Sequence, residues 1–160
     1  MKKWVLFFLT LFIVGCSDKD EDKILFSEDQ AVPFEVIVHE QKMAPIFNSM
    51  APYILYAQTE GQLKELLARF DLETPVDMTT SDALFLVTYS DSCGIAVDGV
   101  YNKNGQLAVQ LGLPEGVDET TTCGKTGIPH TFLIEVDKQD YDKVQLYNGD
   151  IIKSSVEVKE

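Results

Sequence analysis

Ala83-Leu84-Phe85-Leu86-Val87-Thr88-Tyr89 is the stretch that decides the fold, because apolar side chains occupy both of the faces that a strand here would present. A half-exposed strand alternates apolar and polar residues, whereas a strand covered on both faces reads as a nearly continuous apolar run. We therefore predict that residues 83–89 form a central strand.

A helix is predicted upstream of this strand. Thr59 suits the N-cap position, and Gln62 three residues later completes a capping-box pattern. An apolar stripe follows at positions i, i+3, i+4 and i+7, formed by Leu63, Leu66, Leu67 and Phe70. This spacing predicts an amphipathic helix of about eleven residues that ends before Pro75.

The remaining elements of the domain are predicted to be strands. The strand patterns cover residues 34–39, 53–57, 95–101, 106–111, 130–136 and 144–147, with a short tail strand near Ile151. Asn104-Gly105 supplies the positive-φ positions of a tight hairpin between two of them. One helix followed by adjacent strands indicates an α+β fold with one largely antiparallel sheet and the helix packed on it. A sandwich-like arrangement is the alternative.

The N-terminus has the pattern of an export signal. Lys2 and Lys3 precede an uncharged, mostly apolar run over residues 4–15, which is shorter than the about 20 residues that span a bilayer. The run ends in Ile13-Val14-Gly15-Cys16, which resembles the lipobox of bacterial lipoproteins. The resemblance implies that residues 1–15 are a signal peptide, that cleavage precedes Cys16, and that Cys16 carries the lipid. An ordinary secretory signal with a chance cysteine is the alternative.

A polar segment separates this cysteine from the domain. Residues 17–23 contain no apolar residue and four acids, so residues 16–31 are predicted to be a lipidated cysteine followed by a flexible tether. The acidic run after Cys16-Ser17 resembles the surface-export signal of Bacteroidota lipoproteins. It implies the outer face of the outer membrane, with the periplasmic face as the alternative. Residues 32–160 have the usual size of one globular domain.

The charge of the chain excludes some partners. The sequence has 26 acidic and 13 basic residues, a formal net charge of -13. Removal of residues 1–15 takes away Lys2 and Lys3, which leaves a net charge near -15. Nucleic acids and anionic lipid head groups require a basic surface. We therefore expect no nucleic-acid partner, and we assign membrane attachment to lipid on Cys16; the sequence indicates no oligomeric state.

Cys93 and Cys123 are the other two cysteines. Export places them in an oxidising compartment, where an even pair in a small domain usually forms a disulfide. Such a bond would stabilise the domain by about 3–4 kcal/mol in the chain-entropy model. The rival interpretation is a nucleophilic thiol with His39 or His130 as its base, but neither cysteine has a basic cluster beside it in the sequence.

Sequence motifs for other chemistries are incomplete. Gly124-Lys125-Thr126 resembles the end of a phosphate loop, but the required glycine is replaced by Glu119. The two histidines, each at the end of a predicted strand, are too few for a zinc site without several carboxylates. We therefore predict no metal, no cofactor and no catalytic residues.

Several features of residues 53–146 resemble the C-terminal domain of the protease-complex subunit PrcB. They are the capped helix, Pro75-Val76-Asp77 before the buried strand, and the final strand with Pro129 and Phe132. The resemblance implies a secreted binding or accessory domain without catalytic residues. We therefore expect a membrane-anchored module that binds a protein, peptide or envelope component through a sheet face or the loop at 112–129. A hydrolase or thiol-dependent enzyme of the cell envelope is the alternative.

Overall fold

A computed structural model of the chain describes residues 25–45, 51–118 and 120–158. The predicted signal peptide, the lipidation site Cys16 and the acidic run at 17–23 lie outside these residues. In chain order the described elements are a 3-10 turn at Glu28–Gln30, β1 (Phe34–Glu40), β2 (Tyr53–Ala57), α1 (Glu60–Phe70), β3 (Ser81–Ser90), β4 (Ala96–Lys103), β5 (Gln106–Gly112), β6 (Ile128–Asp137), β7 (Lys143–Asn148) and β8 (Ile151–Glu157).

The strands form two four-stranded sheets that pack face to face. The first sheet has the order β1-β6-β3-β2 and is antiparallel throughout. The second has the order β4-β5-β7-β8, with one parallel pair, β5 with β7, between two antiparallel pairs. The prediction of a largely antiparallel α+β fold with one helix is confirmed. The strands take the sandwich-like form that the sequence left as an alternative, instead of one sheet.

The strand at 83–89 is buried on both faces, as predicted. Leu84 and Leu86 point into the core between the sheets, where Phe132 and Ile134 of β6 lie beside them. On the other face, Phe85 and its alternating neighbours form a second core under the helix. Every residue from Ser81 to Thr88 is buried, since β3 occupies an interior position in its sheet and is covered by a layer on each side.

Helix α1 closes the outer face of the first sheet. Thr59 caps it by accepting a hydrogen bond from the Gln62 backbone N–H at 3.3 Å, and the Gln62 side chain accepts one from the Thr59 N–H at 3.2 Å. Leu63, Leu66 and Phe70 are buried, and the Phe70 ring lies 4.9 Å from that of Phe85. Burial of each such side chain contributes about 1.5–3 kcal/mol.

The hairpin between β4 and β5 follows the Asn-Gly pattern. Asn104 and Gly105 both adopt positive φ, 55° and 79°. The Asn102 side chain accepts a hydrogen bond from the Gly105 N–H at 3.0 Å. A Cβ at residue 105 would come within 2.6 Å of the Asp142 carboxylate, so close packing as well as backbone conformation favours glycine there.

The N-terminal part of the described chain, residues 25–31, lies on the second sheet, so the flexible tether predicted for residues 16–31 does not extend over this part. The Phe26 ring stacks on Tyr101 of β4 at 4.9 Å and meets Tyr147 of β7 edge-on. Leu25 and Phe26 also border a pocket with Lys103 and Gln106, next to the β4–β5 hairpin. Among the described residues, no helix is both long enough and apolar enough to cross a membrane.

Candidate functional site

One end of the sandwich gathers most of the chemically reactive side chains. The end of β3, the turn at 91–95, the loop at 113–127, the start of β6 and the end of β1 meet there. Cys93, Cys123, His39 and His130 all lie in these segments. We call this region the disulfide end. The β4–β5 hairpin lies at the opposite end, because β4 runs away from the turn at 91–95.

A covalent and hydrogen-bonded clamp holds the 113–127 loop against the turn after β3. Cys93 and Cys123 form a disulfide, with their Cα atoms 5.4 Å apart. Next to it, the Ser92 N–H donates to the Gly124 carbonyl at 3.1 Å, and the Gly124 N–H donates to Ser92 Oγ at 2.6 Å. Three adjacent links between the same two segments leave the loop little freedom at this point.

The loop has its own internal hydrogen bonds around Asp118. The Asp118 carboxylate accepts from the Thr120 N–H at 2.9 Å and from the Thr120 hydroxyl at 2.6 Å. The Thr121 hydroxyl is a third donor, at 3.1 Å. These hydrogen bonds, with those of Thr120 foremost, hold the pKa of Asp118 below its usual range. On the solvent side of the clamp, these hydrogen bonds thus link Asp118 to Thr120 and Thr121.

A second cluster at the same end joins a serine to two histidines. His130 Nε2 lies 2.8 Å from the Ser90 hydroxyl oxygen. Its other ring nitrogen, Nδ1, lies 2.9 Å from Nε2 of His39. Three adjacent strands supply these residues: β3 ends at Ser90, His130 is the third residue of β6, and His39 is next to last in β1. The result is a continuous hydrogen-bonded chain from Ser90 to His39.

The two histidines differ in exposure. His130 is 1% exposed, whereas His39 lies on the edge strand and faces solvent. The His39 ring stacks on Phe132, with the ring centres 4.1 Å apart. Burial lowers the pKa of both rings, and the charge that His39 can carry lowers that of His130 further. Both rings are therefore neutral at pH 7, and each neutral ring offers one donor and one acceptor nitrogen.

A cleft of about 300 Å³ opens beside this chain. Ser90 and Asp91 form part of its wall from the first sheet, and Gly112 and Leu113 form part of the opposite wall from the end of β5. Leu113 is 42% exposed, which places an accessible apolar side chain at the rim. Ser90 is thus partly exposed beside the cleft, although its partner His130 is buried.

The cysteines and histidines that the sequence offered as a nucleophile and its base do not form a reactive thiol site in the structure. Because Cys93 and Cys123 are bonded to each other, neither can supply a thiolate to His39 or His130. The disulfide therefore argues against the nucleophilic-thiol interpretation. Asp91 lies close enough to both sulfurs to form a three-residue metal cluster, but disulfide sulfurs are poor metal ligands. The two histidines, interpreted separately as polar residues at strand ends, are in fact in contact.

A buried carboxylate lies toward the other end of the sandwich. Asp82 is fully buried and accepts a hydrogen bond from the Tyr56 hydroxyl, and Lys138 Nζ lies 3.7 Å from its other oxygen. Burial raises the pKa of Asp82, and burial next to Asp82 raises that of Tyr56. The Lys138 ammonium also donates to the carbonyl oxygens of Gln58 and Met78. These bonds tie three segments together, which is a structural role.

Comparison of the chain with protein-family models, with curated proteins and with solved structures gives no significant match. The site is therefore interpreted from its own geometry.

Proposed function

We propose that this protein is a membrane-anchored lipoprotein of the cell envelope that acts as a binding or accessory module. Export and lipidation rest on the apolar run at 4–15 and on Ile13-Val14-Gly15-Cys16. The acidic run at 17–23 supports the outer membrane and exposure at the cell surface, with the periplasmic face as the alternative. The likeness of residues 53–146 to the C-terminal domain of PrcB also favours an accessory role.

The main support for the binding role is the position of the clamped loop relative to that of Leu25 and Phe26, the first described residues after Cys16. Leu25 and Phe26 lie on the second sheet beside the β4–β5 hairpin, whereas the clamp lies at the disulfide end. The nine peptide units from Cys16 to Leu25 span at most about 30 Å. An anchor on Cys16 thus holds the domain near the membrane from the side away from the loop.

A loop that is already ordered is well suited to binding. Ordering a flexible segment when a partner binds costs about 0.5–1.5 kcal/mol for each immobilised side chain, and pre-organisation removes part of that cost. The disulfide and the Ser92–Gly124 hydrogen bonds order this loop in the free protein. Leu113 adds an exposed apolar contact next to the cleft. We therefore expect a protein or peptide partner at the disulfide end.

Site-specific photo-crosslinking in intact cells tests the binding role. A photoreactive amino acid at Leu113 probes the disulfide end, and the same amino acid at Lys103 is the matched control beside the hairpin. We expect discrete crosslinked species from position 113 that are absent from position 103. Equal crosslinking at the two positions, or none at position 113, would contradict a binding surface at the disulfide end.

Metabolic labelling tests the anchor. Cells grown with a fatty-acid analogue should incorporate it into the wild-type protein but not into Cys16→Ala, because the thiol of Cys16 is the predicted site of lipid attachment. Equal labelling of both proteins would show that the lipid is not on this cysteine.

A further inference from the structure

The chain Ser90–His130–His39 has the connectivity of an acyl-transfer site. A nucleophilic serine requires a base within hydrogen-bond reach and a third group that orients the base. The distances are 2.8 Å from Ser90 Oγ to His130 Nε2 and 2.9 Å from His130 Nδ1 to His39 Nε2. We propose that Ser90 is a nucleophile toward uncharged esters, with His130 as its general base and His39 as the positioning residue. This activity goes beyond the proposed binding function.

The strands hold the three side chains in fixed relation. Thr88 of β3 pairs directly with His130 of β6, and His39 of β1 pairs with Phe132 of β6. The site therefore spans three neighbouring strands of one hydrogen-bonded sheet. Sites built on strands keep their geometry better than sites on loops. Stacking on Phe132 further restrains the His39 ring.

The Ser90 hydroxyl has one proton and two acceptors within reach. It lies 2.8 Å from His130 Nε2 and also 2.8 Å from the Asp91 carbonyl oxygen. When the proton points to His130, Nδ1–H of His130 donates to His39 Nε2, which is the arrangement needed for attack. When it points to Asp91, the two rings donate in the opposite direction. Because His39 is exposed, its ring exchanges protons with water and the pair can pass between the two arrangements.

The protonation state also suits a base. His130 is neutral at pH 7, because burial and the nearby His39 lower its pKa. A neutral imidazole can accept the serine proton as the hydroxyl attacks, and general base catalysis of this kind contributes about 10²–10⁴-fold to a rate. The imidazolium that results would then donate Nδ1–H to His39 Nε2, which stays neutral.

The cleft indicates the class of substrate. Its volume of about 300 Å³ is at the lower end of the range for ligand pockets, and Ile95 and Leu113 form an apolar part of its wall. Asp91 and the net charge of -13 disfavour anionic substrates. An uncharged ester with a short apolar acyl group fits this combination of size and charge.

The reaction conserves atoms and charge. The Ser90 oxygen forms a bond to the carbonyl carbon of the ester while its proton passes to His130 Nε2. The carbon–oxygen bond to the alcohol breaks, and the alcohol leaves with the proton from His130. Water then attacks the acyl-serine by the same route and releases the carboxylic acid.

A fluorophosphonate probe tests the proposal on the full chain purified from membranes in detergent. The Ser90 oxygen would form a bond to phosphorus as fluoride leaves, and the proton would pass through His130 to solvent. We expect a single adduct, located by peptide mass spectrometry on Ser90. Ser90→Ala should abolish labelling, whereas Ser155→Ala, an exposed serine of β8 with no histidine partner, should label at the wild-type rate.

Variants of the histidines separate their roles. His130→Gln should lower the labelling rate about 100-fold, since it removes the base. His39→Leu should lower it about tenfold and shift its pH profile, and His39→Gln, which retains an acceptor, should restore most of the rate. Circular dichroism would check that each variant is folded. If the His130 variant does not fold, the wild-type pH profile decides, because labelling must rise as His130 loses its proton at a pH below about 6.5.

Two results would overturn the proposal. One is an adduct spread over several exposed serines, or labelling that survives Ser90→Ala. The other is a wild-type labelling rate that does not fall at any pH below about 6.5 at which the protein remains folded. Either result would leave the binding function untouched, since photo-crosslinking at position 113 measures that separately.

Discussion

Replacing both Cys93 and Cys123 by alanine should destabilise the domain mainly through its unfolded state. The two cysteines are separated by 30 residues in sequence. In the chain-entropy model, opening a loop of this length costs about 3–4 kcal/mol of unfolding free energy at 25 °C. A loss of this size in a domain of about 130 residues should lower the melting temperature by about 10 °C or more.

Urea denaturation followed by circular dichroism measures this change on a soluble form that begins at Ser17. Ser92→Ala is the matched control, because it removes the hydroxyl that accepts from the Gly124 N–H but keeps the disulfide. It should cost about 1 kcal/mol, the typical contribution of one hydrogen bond. A thiol count on the denatured, non-reduced wild-type protein should find none.

The chain-entropy reasoning for this loop would be refuted if the free energy of unfolding of the double variant were less than about 1 kcal/mol below that of the wild type. Two free thiols in the non-reduced protein would contradict the disulfide itself, and they would restore the nucleophilic-thiol interpretation of Cys93 and Cys123.

Three further predictions follow from packing, capping and protonation. Phe85→Ala, which opens a cavity under the helix, should cost about 3–5 kcal/mol in urea denaturation, whereas Val36→Ala on the exposed edge of β1 should change stability by about 0.5 kcal/mol or less. Thr59→Ala should cost about 0.5–2 kcal/mol, and Thr59→Ser, which keeps the capping oxygen, should cost little. The pKa of His130 is lower in the folded protein than in the unfolded chain, so the unfolded state binds more protons below about pH 6.5. Stability should therefore fall as the pH drops through that range, and His130→Gln should flatten the slope; an unchanged slope would exclude His130 as its source.

Interactions close in sequence explain why many elements were predictable. The helix at Glu60–Phe70 follows from a capping box and an apolar stripe within eleven residues. The β4–β5 hairpin follows from Asn104-Gly105, where the backbone must adopt positive φ. The strand at 83–89 is buried on both faces because its sequence offers no polar face to solvent. Each of these patterns involves residues that are only a few positions apart in the sequence.

The arrangement of the strands was decided by contacts between distant residues. The backbone hydrogen bonds that join strands are the same for every sequence. The residue pattern of a strand therefore does not determine which strand pairs with it. The division into two sheets and the parallel pairing of β5 with β7 therefore appear only in the folded chain. The candidate site has the same origin, because His39 and His130 are 91 residues apart in sequence. Their meeting depends on the pairing of β1 with β6, and the contact of His130 with Ser90 depends on the pairing of β6 with β3.

The sequence by itself thus determined most of the helix and strand positions, the acidic charge and the cysteine pair. Periodicity, composition and residue counts are properties of the chain before it folds. Only the tertiary structure decided which histidine meets which serine and which end of the sandwich carries the clamped loop. Those features arise when burial of the apolar faces of the two sheets fixes the order of the strands.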